Sequence, residues 1–329
     1  VRPLPGRTVS SPLVLQSGVL VNRAEGARVS AITALRRRGR PTGASAPPIV
    51  LLVAAAVSVQ GGAALATTLF DRAGPAGAAW LRIILGAAVL VLVTRAWRPG
   101  PTPAPGAIRW AVALGLVLAG MNTSFYFAID RLPLGVAVAV EFIGPMAVAV
   151  ASSRRPADLA WVGLAAASVA ALTLPRADLG SAEFTGVGLA ALAGLGWALY
   201  IVSAKGLGRA WPGRRGLVLA MLVAAVATTP GGVVSAGGAI GPELLLVALA
   251  VGILGTAVPY SLELAAIRRV SRGAFGVMMA LEPAVAAAVG LVFLGQVLGP
   301  LDLAGIVGVG VAVWGVTARP GAFAERAAP

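Results

Sequence analysis

Leu134 to Ala151 reads LGVAVAVEFIGPMAVAVA, a run in which Glu141 is the single charged residue and Pro145 follows it by four positions. A helix rises 1.5 Å per residue, so a run of this length comes close to crossing the roughly 30 Å hydrocarbon core of a bilayer. A carboxylate near the centre of such a helix costs about 2.5 to 3.5 kcal/mol on insertion scales, and residues of this kind face a pathway or a partner. A second run, Ala274 to Leu294 (AFGVMMALEPAVAAAVGLVFL), carries Glu282 and Pro283 in the same manner. Two acids so placed make the chain a transporter candidate.

Composition agrees. With 58% hydrophobic and 12% charged residues over 329 positions, and a mean hydropathy of +0.90, too little polar surface exists to coat a water-soluble globule. The chain has no Cys and no His, which removes disulfides, thiolate and imidazole metal sites and Cys or His nucleophiles together. There is no P-loop, no Asp-rich metal motif, no HExxH and no nucleophile with a base, so no enzyme chemistry and no cofactor are expected. The formal charge of +14 would suggest nucleic acid in a soluble protein. Here the arginines lie in short segments between apolar runs, so the expected partner is the lipid bilayer and not nucleic acid.

Residues 1–48 are rich in Pro, Gly, Ser and Arg and read as a basic disordered N-terminal tail. Arg36, Arg37, Arg38 and Arg40 resemble the charged region of a signal peptide, but the next run, Ile49 to Phe70, is long enough to span and is read as a membrane helix. Ten apolar segments follow the tail, at 49–70, 75–97, 108–129, 133–152, 158–175, 185–205, 215–236, 243–267, 272–294 and 300–318, with a short C-terminal tail over 319–329. Continuous Ala/Leu/Val/Gly runs lack the alternation that a barrel requires. The expected fold class is an all-α membrane protein of ten transmembrane helices.

Alternate loops carry very different numbers of basic residues. Arg95, Arg98, Arg109, Arg154, Arg155, Lys205, Arg209, Arg214, Arg215, Arg268, Arg269 and Arg272 fall in one set, against Arg72, Arg131 and Arg176 in the other. Cytoplasmic loops carry the excess, which places both termini in the cytoplasm. Ala128-Ile129-Asp130-Arg131 with Gly135 and Pro145 recurs as Ala266-Ile267-Arg268-Arg269 with Gly273 and Pro283, at a constant offset of 138. The expected organisation is therefore two five-helix repeats, 49–175 and 185–318. An odd-numbered unit repeated in tandem is inverted, which suits alternating access about a midplane site.

Arg82, seven residues into the second helix, matches the depth of Glu141 and could pair with it or grip a substrate carboxylate. A carboxyl group in a low-dielectric site favours its neutral form, the condition for reversible proton loading. The plainer alternative, a structural acid that is neutral or paired, stays open for both glutamates, as does a structural ion pair for Arg82. Glu263, near the cytoplasmic end of its helix, is a further candidate that could instead reach water or Arg268. Asn122 with Tyr126, Trp197 with Tyr200 and Ser203, and Tyr260 with Glu263 share helix faces by spacing and are expected to line the pathway. Pro145, Pro259 and Pro283 free the carbonyls of Glu141, Gly255 and Met279, and so mark hinges or exposed binding groups, or harmless kinks.

Met121-Asn122, the stretch LPLGVAVAVEFIGPMAVAVASSRRPAD from Leu132 to Asp158, VPYSLELAAIRR from Val258 to Arg269 and FGVMMALEPAVAAAVGLVFLG from Phe275 to Gly295 together resemble the EamA-domain branch of the drug/metabolite transporter superfamily, its threonine/homoserine exporter group in particular. The resemblance covers roughly Ile49 to Ala318. It implies a ten-helix inverted-repeat carrier in a bacterial plasma (inner) membrane, exporting small amino acids or related metabolites in exchange for protons. One departure is Gln296, where these proteins often carry an acid. The expected partners are a small-molecule substrate and protons, and a homodimer is left open. The rival readings are a drug, nucleobase or other metabolite carrier working by uniport or import, and a non-transporting membrane receptor or intramembrane enzyme.

Overall fold

The computed structural model describes residues 48–98, 100, 102–151, 158–173, 182–211, 214–259, 262 and 272–317. Among them the regular structure is helical, in the order α1 Pro48–Thr67, α2 Phe70–Thr94, α3 Ala107–Ile129, α4 Leu134–Glu141, α5 Ile143–Ala151, α6 Asp158–Thr173, α7 Ala182–Ala210, α8 Arg215–Ala236, α9 Pro242–Gly252, α10 Arg272–Leu294 and α11 Pro300–Thr317. A single wider π-helical turn, Ile253–Ala257, continues α9. Five segments are long and apolar enough to cross a membrane: Val50–Thr67, Phe70–Thr94, Ala107–Ile129, Ala182–Ala210 and Arg215–Ala236. Shorter apolar helices cover Leu134–Val148, Leu159–Leu172, Pro242–Ala257, Ala280–Leu294 and Pro300–Gly315. The N-terminal tail, the C-terminal tail, Glu263 and Tyr260 lie outside the described residues.

Prolines shape the helices that matter for the site. Pro145 cannot donate to the Glu141 carbonyl, so the fourth apolar segment is divided into α4 and α5 at Phe142. Phe142 keeps dihedrals in the right-handed helical region (φ −63°, ψ −13°) between the two pieces. α2 begins five residues earlier than the apolar run suggests, because Phe70 to Ala73 form a short helical lead-in before Gly74 (φ 64°, ψ 167°) breaks the path and Pro75 restarts it. Ser235 of α8 donates to the Ala73 carbonyl at that break. α7 runs past Ser203 to Ala210 and so outlasts its apolar stretch.

Small residues let these helices approach closely, as packing without a hydrophobic drive between lipid-facing helices requires. A Cβ added at Gly135 of α4 would lie 2.8 Å from the Ala287 backbone of α10, and one at Gly115 of α3 would lie 2.5 Å from the Ala220 carbonyl of α8. α3 packs on α7 and α8, α2 on α8, and α11 on α6 and α10, while α10 also meets α1 and α4. A core of Leu134 to Val140 with Phe142, Ala286, Val289 and Val309 forms where α4, α10 and α11 meet.

Candidate functional site

Position along α4 and α10 follows from their contacts. Gln296, just beyond α10, accepts the Leu134 N–H at 2.9 Å, and Gly135 sits against Ala287. From that second contact Glu141 is six residues down α4 and Glu282 five residues down α10, about 9 Å and 7.5 Å at the helical rise. The two acids thus reach nearly the same depth on facing helices. Glu141 is buried at 6% exposure, and the charged groups whose fields it feels are Arg82 and Glu282. Glu282 is partly exposed and accepts a hydrogen bond from Gln60 Nε2 of α1 at 2.9 Å.

Arg82 of α2 is the hub on the other side. Its guanidinium donates to Asn122 Oδ1 at 2.8 Å and to the Gly255 carbonyl at 3.2 Å, and lies 5.6 Å from the centre of the Tyr126 ring. Asn122 is itself held by donation from Nδ2 to the Leu118 carbonyl at 2.8 Å, which aims its oxygen at Arg82. The Tyr126 hydroxyl, fully buried, lies near the guanidinium without hydrogen-bond geometry and has no partner among the described residues.

The carbonyls that Arg82 and its neighbours meet have a local cause. In the wide turn Val258 donates to Ile253 rather than Leu254, and Pro259 has no N–H for Gly255. Leu254 and Gly255 thereby lose their α-helical donors, Val258 and Pro259. Ser58 of α1 donates to the first at 2.8 Å, and Arg82 to the second. Gly255 has no side chain to block this: a Cβ there would sit 2.8 Å from Arg82 Nε. The Glu141 carbonyl, freed by Pro145, meets Gly194 of α7, where a Cβ would come within 2.6 Å of it. Pro283 is buried inside α10, which continues through it.

The sequence candidates therefore divide. Arg82, Asn122, Tyr126, Glu141 and Glu282 converge, with Pro259 supplying one of the bonded carbonyls. Trp197 packs edge-on against Phe142 at 4.8 Å between ring centres, next to Glu141. Tyr200 instead joins the cluster of Leu114, Leu118, Leu207 and Met221, and Ser203 is buried a further turn along α7. Ser58, Gln60 and Thr256, all buried polar residues, were not singled out from the sequence. Their signal is faint, a lone polar residue inside an apolar run. A surface depression lined by Pro103 to Arg109 lies in the segment before α3, away from the acids. Among the described residues no cluster of three acids could hold a metal ion.

A bundle of apolar helices that holds two acids at nearly one level, with an arginine beside them, defines a polytopic membrane protein with a polar interior site, the class to which carriers belong. Comparison with known proteins gives the particular family. Residues 184–318 match the EamA-like transporter family. The threonine/homoserine exporter RhtA of Escherichia coli K12 is 41% identical over 264 residues, covering 78% of this chain and 86% of that protein. Its namesake in Salmonella typhimurium SL1344 is 39% identical over 278 residues, covering 82% and 91%. A crystal structure of another protein superposes with a TM-score of 0.56 at 20% identity, covering 80% of this chain and 96% of that one, a likeness of fold. The chain belongs to the EamA-like transporter family, membrane transporters and not enzymes.

Proposed function

We propose that this chain exports threonine, homoserine or a related small amino acid from the cytoplasm of a bacterium across its plasma membrane, in exchange for protons. The observation that carries the reading is the convergence of two acids, Glu141 and Glu282, at nearly one level with a positive fork, Arg82, beside them. An amino acid presents a carboxylate and an ammonium. Arg82 suits the first by bidentate pairing, and an ionised Glu141 suits the second. Its relatives' names supply the cargo class.

Alternating access is the matching mechanism, with ten spans arranged as two inverted five-helix repeats, 49–175 and 185–318. Support comes from which helices touch. If the second repeat starts at α7, then α2 with α8, α4 with α10, and α6 with α11 are pairs of equivalents, and all three pairs are in contact. The contacts of α1 with α10 and of α7 with α4 and α5 are likewise exchanged by the same two-fold. A cytoplasmic location of both termini follows from the distribution of basic loop residues. Protons arriving from outside neutralise the acids and release cargo there, and loss of protons to the cytoplasm resets the carrier.

The test is uptake into inverted proteoliposomes across a panel of amino acids, with and without an imposed pH difference. Threonine and homoserine flux driven by the gradient is expected, with Glu282→Gln abolishing the drive while the protein still inserts. Flux indifferent to a collapsed gradient, or undiminished in Glu282→Gln, refutes proton coupling. An absence of amino acid flux refutes the cargo class.

A further inference from the structure

α1 contains no ionisable side chain, yet it contacts both halves of the polar cluster. Its mid-helix residue Gln60 is 4% exposed and offers Nε2 to Glu282 Oε2. The other end of the same amide, Oε1, is buried with no hydrogen-bond partner among the described residues. A buried acceptor in this condition costs about 1 to 3 kcal/mol, so it calls for a reason.

The two protonation states of a carboxyl group supply one. An ionised carboxylate only accepts, and takes the amide N–H; a protonated carboxyl has an O–H to donate and needs an acceptor. Turning the Gln60 amide end for end brings Oε1 to that O–H with little movement of heavy atoms. We infer that Gln60 is a positioning residue for proton coupling, its amide holding one orientation against ionised Glu282 and the reverse against the neutral acid, and that α1 passes this change to Arg82. The inference rests on the proton-exchange reading above.

The path from one site to the other is short. Two residues before Gln60, Ser58 bonds the Leu254 carbonyl at 2.8 Å. Two residues after it, Gly62 lies so close to the same turn that a Cβ would sit 3.1 Å from the Gly255 nitrogen. Gly255 in turn holds the Arg82 guanidinium through its carbonyl. Among the described residues, the charged groups near Glu282 are Glu141 of α4, whose field and that of Glu282 overlap, and, beyond it, Arg82 of α2. α11 contributes Asp302 in its first turn, at the far end from Glu282, and α1 contributes none.

The experiment is pH-difference infrared spectroscopy of the purified full chain, paired with transport. The protonated carboxyl band of Glu282 is identified by its loss in Glu282→Gln. In Gln60→Met that band is expected to move to higher frequency, since the acid has lost its acceptor. In proteoliposomes the same variant is expected to lose gradient-driven flux about tenfold, one decade corresponding to roughly 1.4 kcal/mol, and to lose more of it than of gradient-free counterflow. Should counterflow fall as far, the wild-type chain carrying isotope-labelled glutamine decides. With three glutamines in the sequence, the Gln60 amide carbonyl band is expected to shift in step with the Glu282 band. A Glu282 band unmoved by Gln60→Met, or an amide band that ignores Glu282, overturns the role of Gln60 alone. A wild-type chain without any proton-sensitive Glu282 band instead overturns proton coupling through that acid.

Discussion

Arg82→Lys keeps the charge and removes the fork, which makes it the sharpest test of how the site is held. The guanidinium satisfies Asn122 Oδ1 and the Gly255 carbonyl at once, at 2.8 and 3.2 Å. Neither acceptor has an easy replacement: Pro259 has already removed the helical donor for Gly255, and the bond from Asn122 to Leu118 keeps its oxygen facing Arg82. A lysine ammonium on a flexible stem reaches one of the two and leaves the other dry, at about 1 to 3 kcal/mol. The weaker contact with the Tyr126 ring adds about 0.5 to 1 kcal/mol. The sum, roughly 1.5 to 4 kcal/mol, corresponds to a loss of about 10- to 1,000-fold in a rate that depends on this geometry. Threonine counterflow in proteoliposomes, with thermal unfolding in detergent followed by tryptophan fluorescence, reads both consequences. If positive charge alone were what the site requires, the Arg82→Lys variant would export and melt like the wild type, and that result would refute the assignment of Arg82 as a two-acceptor fork.

Gly194→Ala places a methyl 2.6 Å from the Glu141 carbonyl, against backbone that cannot rotate away, and is expected to destabilise the chain by about 1 to 3 kcal/mol and depress export; Gly120→Ala, with open space around it, is the control and is expected to melt no lower than wild type. Gln296→Leu removes the acceptor for the first N–H of α4 and is expected to cost about 1 kcal/mol in unfolding, whereas Gln296→Glu keeps an oxygen there and is expected to be close to neutral. Thr229→Val strands the Trp80 indole N–H, now bonded at 3.0 Å, with an expected loss of about 1 to 3 kcal/mol in thermal stability and little change in cargo selectivity. Arg72→Gln breaks an ion pair with Glu243 whose side chains are 57% and 77% exposed, and is expected to leave melting and flux unchanged.

Helix content was legible because a membrane leaves so few choices: backbone groups must bond within a segment, and a charge in oil demands a reason, which is what drew attention to the two acids. Asn122 and Tyr126 were legible for the same kind of reason, since residues four apart on α3 share a face and both meet Arg82. The same rule misplaces Tyr200. It stands three residues from Trp197, but three residues turn a helix by about 300°, and the 60° remainder is enough to carry it from the Phe142 side of α7 to the α3 and α8 side. Ser58 and Gln60 could not be singled out, because a lone serine or glutamine in an apolar helix becomes meaningful only when the facing helix is known. Gly194 was equally silent among the many glycines of this chain, being significant only for the carbonyl it meets.

The prolines tie these observations to movement. Two of the freed carbonyls are hydrogen-bonded from other helices, Leu254 by Ser58 of α1 and Gly255 by Arg82 of α2, while that of Glu141 packs closely against Gly194 of α7. A helix with unbroken hydrogen bonds could slide past such neighbours without polar loss, since its carbonyls are satisfied internally. A broken one cannot, because leaving the partner strands an acceptor until another donor takes its place. We propose that rearrangement of α9 at this level requires exchange of one donor for another, and the donors within reach are the side chains of the site and the ammonium of a bound amino acid. Cargo that brings its own donor lowers the cost of the exchange, so a carrier constructed in this way moves readily when loaded and poorly when empty. Exchange of labelled for unlabelled threonine is accordingly expected to run faster than net efflux from the same vesicles, and equal rates would break the link between the freed carbonyls and the motion.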